Sequence, residues 1–293
     1  MFEGFRCLDV EAGEVEFAGV MGGAGPAVLL LHGYPQTHLA WRHVAPVLAA
    51  HYTVVVPDLP GYGDSRTLDD RERWNKRRVA AAAVALMTSL GHERFAVVGH
   101  DRGARAGYRL VLDHPGRVCG YASLTVVPTL EAWTQVDKAF AMGAFHWFML
   151  AQPHDLPERL LAGDPDAFLD RTLARMAGGL DRLELAVLDA YRTAFRDPAV
   201  RHAMCEDYRA AAAEDADHDA ADRANGHLLS CPVLVLWPDR PAKGPTPLDI
   251  WRGWAANVRG GPISGGHLQP ELSAPEVLAH LEPFLATVTA AYG

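Results

Sequence analysis

The chain reads as an α/β protein with a mostly parallel central sheet flanked by helices and an all-helical cap insertion. Three observations predict this. Short apolar runs alternate with helix-length segments up to about residue 126, the strand pattern then disappears over residues 128–229, and it returns near residue 232. In order, Val28-Leu29-Leu30-Leu31 is expected as a buried strand, Leu39 to Ala50 as a helix, Val54-Val55-Val56 as a strand and Arg77 to Leu90 as an alanine-rich helix. A strand at Phe95-Ala96-Val97-Val98, a helix from Arg102 to Leu112 and a strand at Gly120 to Val126 complete the first part. The Ala, Leu, Trp and His content of 128–229 recurs at helical spacing, so this stretch is expected as a cap over the carboxyl ends of the strands. Pro232 to Trp237 restores the strand pattern. A helix near Leu248 to Val258, a short strand leading into Gly265-Gly266-His267 and a closing helix through Leu278 to Ala286 follow. The expected core is therefore 1–127 with 230–293, and the cap 128–229.

Composition narrows the function. With 293 residues and 49% hydrophobic content the chain can bury a full core. A net charge of −9 and a pI near 5.8 argue against nucleic acid, which would require a basic face. The start, Met1-Phe2-Glu3-Gly4-Phe5-Arg6, lacks signal-peptide character and no apolar stretch is long enough to span a bilayer, so a soluble cytoplasmic protein is expected. Cys7, Cys119, Cys205 and Cys231 are scattered without paired spacing, which suggests buried reduced thiols rather than a metal or disulfide framework. No cofactor and no metal are expected.

The chemistry concentrates at Gly99-His100-Asp101-Arg102-Gly103. This pentapeptide falls between an apolar strand and a helix, where a sharp elbow would lift Asp101 above the sheet and the glycines would relieve crowding. A serine there would attack carbonyl carbon. A carboxylate is better suited to displacing a leaving group from saturated carbon and forming an ester with the protein. Arg102 and Arg105, three apart at the start of the helix, can point to one side and hold a substrate carboxylate, which also offsets repulsion between two anions.

These residues carry a family resemblance. His32-Gly33-Tyr34-Pro35-Gln36-Thr37, Asp58 to Gly63, the elbow through Arg105 and Gly266-His267 are together similar to the α/β-hydrolase superfamily and its fold. With Phe145-His146-Trp147 and Cys205-Glu206-Asp207-Tyr208-Arg209 added, the chain resembles the fluoroacetate (haloacetate) dehalogenases over nearly its whole length. The resemblance implies that Asp101 attacks the α-carbon of a 2-halo acid, that halide leaves, and that His267 activates a water to hydrolyse the Asp101 ester. It implies Arg102 and Arg105 as carboxylate ligands, His146, Trp147 and Tyr208 as halide donors, and the backbone N–H groups of Tyr34 and Arg102 as the oxyanion hole. Tyr34 stands where relatives more often have phenylalanine. A homodimer is a further implication of the resemblance alone.

One departure stands out. Thr125, in Leu124-Thr125-Val126-Val127, occupies the place of the aspartate that normally orients the histidine, and threonine supplies no charge. Other α/β-hydrolases carry the acid after the next strand, where this chain has Asp239; alternatively no carboxylate reaches His267 and ester hydrolysis slows. Epoxide hydrolysis uses the same aspartate and histidine but needs cap tyrosines, of which Tyr208 alone is evident. A serine-type esterase is disfavoured by the absence of G-x-S-x-G, and a repurposed binding protein has Thr125 as its support. Glu214 to Asp219 is expected as a solvated helix face or loop, Asp58 and Asp64 as partners of local backbone, and His100 as packing under the elbow.

Overall fold

The computed structural model describes residues 1–68, 73–240 and 244–290, so 69–72, 241–243 and 291–293 of the expected core lie outside the described residues. Among the described residues nine strands form one sheet: β1 Arg6–Ala12, β2 Val15–Gly22, β3 Ala27–Leu31, β4 Thr53–Pro57, β5 Arg66–Thr67, β6 Phe95–His100, β7 Val118–Leu124, β8 Val233–Pro238 and β9 Val258–Ile263. The order is β1-β2-β4-β3-β6-β7-β8-β9, with β5 beside β2. Every pair from β4 to β9 is parallel, and β1, β2 and β5 add an antiparallel edge. The central strands are buried on both faces, which is why they read as unbroken apolar runs.

Side-chain alternation along these strands builds two apolar layers. Leu29, Leu31, Val55 and Val97 face one cluster, with the helices Lys76–Ser89 and Arg102–Asp113. Val28, Leu30, Val54 and Val98 face the other, which is closed by the helix Ala274–Thr289 through Val277, Leu281 and Phe284. Only helices occur between β7 and β8, and their Leu169, Tyr191, Met204 and Tyr208 belong to the first cluster. This helical segment shares its apolar contacts with the sheet face beneath it.

Five expectations are corrected. The edge hairpin β1/β2 lies in a stretch from which no strand was expected; Ala12 pairs with Val15, and Gly13 and Glu14 between them both have positive φ, as a type I′ turn requires. The expected helix Leu39–Ala50 is a short 3₁₀ turn His38–Trp41 followed by Ala45–Leu48, because Pro46 lacks an N–H and can enter only at a helix start. The Leu248–Val258 helix is shorter, Pro247–Trp251, since β9 begins at Val258. Asp215 and Asp219 are buried rather than solvated. Asp215 accepts the Lys76 backbone N–H at 2.7 Å, and Asp219 accepts from Tyr108, Arg109 and the Leu130 backbone. All four cysteines are free thiols, but Cys7 is exposed.

Candidate active site

Asp101 follows β6 directly, at φ 49° and ψ −114°, a backbone conformation that L-residues rarely adopt. Glycines make the bend possible. A Cβ on Gly99 would stand 2.4 Å from Cα of Ala104, one on Gly103 2.3 Å from the carbonyl oxygen of His32, and one on Gly33 2.4 Å from Cβ of Asp101 itself. Asp101 sits at the N-terminal end of the helix Arg102–Asp113 without capping it. Its Oδ1 instead accepts the backbone N–H of Tyr34 at 3.0 Å, and its Oδ2 lies 3.4 Å from Nε2 of His267. Burial alone would raise the Asp101 carboxyl, but His267, with His100 and Arg102, overrides it and holds the group well below the usual carboxylate range. The helix N-terminus favours the same anion. Asp101 is thus an ionised, water-poor carboxylate at neutral pH.

The Tyr34 bond bears on the expected oxyanion hole. Its N–H already points at a carboxylate oxygen of Asp101, the atom on which negative charge would gather when water adds to an ester there. Arg102 opens the helix, so its N–H is among those a helix leaves without an intrahelical acceptor.

His267 is carried on the loop after β9, past Gly265 and Gly266 at positive φ. Its carbonyl oxygen receives a hydrogen bond from Nε2 of His100 at 2.8 Å. His100 therefore does more than pack beneath the elbow: it ties the elbow to the histidine loop. Burial pushes His100 down to about 3, so it serves as a neutral donor. Asp101 is the one carboxylate paired with His267 among the described residues. Asp239, the expected alternative acid, is exposed; its backbone N–H bonds Ile263, and among the described residues its carboxylate forms no ion pair with His267. Thr125 adopts φ 73°, and its buried Oγ1 has no hydrogen-bond partner.

The two arginines separate. Arg105 is buried with Nη1 bonded to the Val127 carbonyl at 3.0 Å and Thr129 Oγ1 at 3.1 Å, while its Nε is unpartnered and its guanidinium lies 4.9 Å from the Trp147 ring centre. Arg102 is turned to Asp207: Nε donates to Oδ2 at 2.9 Å, Nη2 donates to the Asp207 carbonyl at 2.8 Å and to Oδ1, and Nη1 is left unpartnered. Asp207 also accepts from Lys76 and from the Tyr62 hydroxyl. A symmetrical clamp from Arg102 and Arg105 is therefore not what the structure presents. Asp207 competes for Arg102.

Asp101, Arg105, Thr125, His146, Trp147 and His267 line one cavity of about 830 Å³. His146 stacks on Tyr34 with ring centres 5.5 Å apart, and burial lowers it to about 4, so it meets a ligand as a neutral imidazole. Tyr208 stands edge-on to Tyr34 and His146 and beneath the Arg102 guanidinium, and neither Tyr208 nor Arg102 forms part of the cavity wall. Three wall residues escaped the sequence reading: Arg171, Arg175 and Arg240. The four-residue spacing of the first two on the helix Pro165–Ala177 was the available signal. Elsewhere, His154, Glu158 and His202 bring potential ligand atoms within 4.8 Å, but Arg209 donates to both Glu158 oxygens at 2.8 and 2.9 Å and occupies the carboxylate a cation would need.

A parallel sheet, a nucleophile elbow after its middle strand and a histidine after its last define a hydrolase class. Residues 26–240 match the family model for the alpha/beta hydrolase fold, and the chain belongs to that family, in its fluoroacetate dehalogenase-like part. It is 39% identical to a fluoroacetate dehalogenase of Burkholderia sp, over 98% of this chain and 95% of that one. A solved structure of a provisionally assigned epoxide hydrolase from Pseudomonas aeruginosa is 54% identical, with a TM-score of 0.97 over 99% of this chain and 98% of that one; its threonine-to-aspartate mutant has been solved with bound MFA. A soluble epoxide hydrolase of Corynebacterium sp. is 29% identical over 86% of this chain and 87% of that one.

Proposed function

We propose that this chain hydrolyses the carbon–halogen bond of 2-halo carboxylates through an ester on Asp101, with residues 128–229 acting as the cap. The observation that carries the reading is an ionised Asp101 facing a cavity whose buried cation, Arg105, has no carboxylate partner. That cation offsets the repulsion between an anionic nucleophile and an anionic substrate. In the first step an oxygen of Asp101 bonds to C2 of the acid, and the carbon–halogen pair of electrons leaves with the halide. His146 and Trp147 supply N–H donors to that ion in a water-poor wall. In the second step a water gives its proton to His267 and its oxygen to the Asp101 carboxyl carbon. The ester C–O bond then breaks, the proton returns to the departing oxygen, and the 2-hydroxy acid is released. The neutral His146 contributes as a hydrogen-bond donor rather than as a charge.

Epoxide hydrolysis is the second reading, favoured by the epoxide hydrolases among the relatives. Opening an epoxide needs acidic donors over the nucleophile, and no tyrosine lines the cavity among the described residues. Incubation with chloroacetate, fluoroacetate and a styrene-type epoxide separates the two, with free halide expected and diol overturning the proposal. His267→Asn is expected to release one halide per enzyme and leave the Asp101 peptide heavier by the acyl group in mass spectrometry; Asp101→Asn is expected to lose at least about 10³-fold in halide release. Single turnover in heavy-oxygen water should place label in Asp101. Label found only in the product would remove the ester.

A further inference from the structure

Beyond the reacting end, the cavity carries an outer cluster of cations. Arg171 and Arg175 lie one turn apart on the helix Pro165–Ala177, and Arg240 follows β8. All three line the same cavity as Asp101 and are exposed, whereas Arg105 at the inner end is buried. The outer arginines share one wall-lined space. A Cβ at Gly266, beside His267, would stand 3.3 Å from the Met176 carbonyl and 3.9 Å from Nη2 of Arg240, so the Arg240 guanidinium lies near the C-terminal end of the helix that bears Arg171 and Arg175.

Among the described residues, none of the three has a carboxylate partner. Arg175 donates to the Met142 carbonyl at 3.1 Å, and Arg171 and Arg240 make no ion pair among the described residues. Elsewhere in this acidic chain arginines find acids, as Arg42, Arg109, Arg192 and Arg209 do. Of the two acids in the cavity wall, Asp101 pairs with His267, and Asp137 accepts the Phe140 backbone N–H at 2.7 Å. Like charges four apart on a helix repel, so Arg171 and Arg175 lack a local reason to share a face. An anion between them and Arg240 would supply one.

The cavity's size agrees. About 830 Å³ is within the range of roughly 300–1,000 Å³ that holds drug-sized ligands, far more than a two-carbon acid fills. We infer that the outer chamber binds a second anionic group, so that the substrates this enzyme prefers are extended 2-halo acids with a distal carboxylate. This specificity rests on the dehalogenation reading. The anion site itself does not.

Calorimetry on the intact protein at physiological ionic strength tests the site without turnover, using adipate against hexanoate. Adipate is expected to bind at least about tenfold more tightly, a difference of about 1.4 kcal/mol. The triple variant Arg171→Gln, Arg175→Gln, Arg240→Gln should erase that difference while leaving hexanoate affinity within about twofold. Equal affinities in the parent protein, or a preference that survives the triple variant, would overturn the inference. So would a loss shared equally by both acids, which is general electrostatic steering. Halide release from 2-chloroadipate against 2-chlorohexanoate is the second arm, with kcat/KM expected to favour the diacid by a similar factor and to lose that preference in the triple variant. Diacid binding without halide from either substrate would retain the anion site and reject dehalogenation; halide from the monoacid alone would reject the diacid preference and retain dehalogenation.

Discussion

Thr125 departs most sharply from what the chemistry asks. It holds a φ of 73°, which a β-branched residue tolerates poorly, with a buried hydroxyl that bonds nothing. Aspartate visits that region more readily than threonine. Thr125→Asp is therefore expected to fold at least as well as the parent and to offer the His267 imidazolium a counter-charge. Loss of the analogous carboxylate in serine proteases costs about 10⁴ in rate, so recovery of even part of it should raise turnover by about tenfold or more. Stopped-flow halide release followed by product release would locate the gain in the second step, and a gain confined to the halide burst would refute the assignment. Because Asp239 is exposed and forms no ion pair with His267 among the described residues, Asp239→Asn should change kcat by less than about twofold. A loss of an order of magnitude would show that its carboxylate reaches the histidine during turnover.

At the scale of elements, the helix that opens at Arg102 is locked to the helix Pro198–Ala212 by Asp207, which gathers Arg102, Lys76 and Tyr62 around one buried carboxylate. Burial pushes Asp207 up, but Arg102 and Lys76 hold it far below the usual range, so it stays charged. Asp207→Asn removes that charge and leaves two buried cations without compensation, a change expected to cost about 3–5 kcal/mol. Thermal unfolding should show a fall on the order of 10 °C. The half-exposed Arg66–Asp197 pair is the control, where Asp197→Asn should cost under about 1 kcal/mol. Equal effects would mean that the buried knot does not hold cap to core. The elements themselves were unequally legible in the sequence. Central strands announced themselves as apolar runs, and the elbow as glycines around an aspartate, because burial on both faces and a tight bend each leave a local signature. The β1/β2 hairpin alternates Leu8, Val10, then Val15, Phe17 around Gly13-Glu14, a period-two signal present in the chain but weaker than a full apolar run. Asp207, though part of a motif in the chain, and the outer arginines, though Arg171 and Arg175 are spaced four apart, show nothing of their partners in the sequence. Their roles come from which residues the fold places opposite them.

For the molecule as a whole, the buried histidines set the pH dependence of stability. His100 lies near 3 and His146 near 4, both lowered chiefly by burial, against about 6.5 in an unfolded chain. Below pH 6.5 the unfolded chain binds protons that the native protein refuses, so their contribution is full above that value and declines as pH falls toward 4. Depressed carboxylates such as Asp58, Asp101 and Asp207 act lower, below about pH 4, since their unfolded values lie there. Asp219 and Glu271, raised by burial, work in the opposite sense. Between pH 7 and pH 5 the histidines should dominate, at up to about 1.4 kcal/mol per pH unit for each. Urea unfolding at the two pH values is expected to show a loss of a few kcal/mol. His146→Gln should remove close to one proton from the slope and so make the protein less acid-sensitive, whatever it does to the halide step. An unchanged slope would mean that His146 titrates as it does in the unfolded chain and that burial does not hold it neutral below pH 6.5.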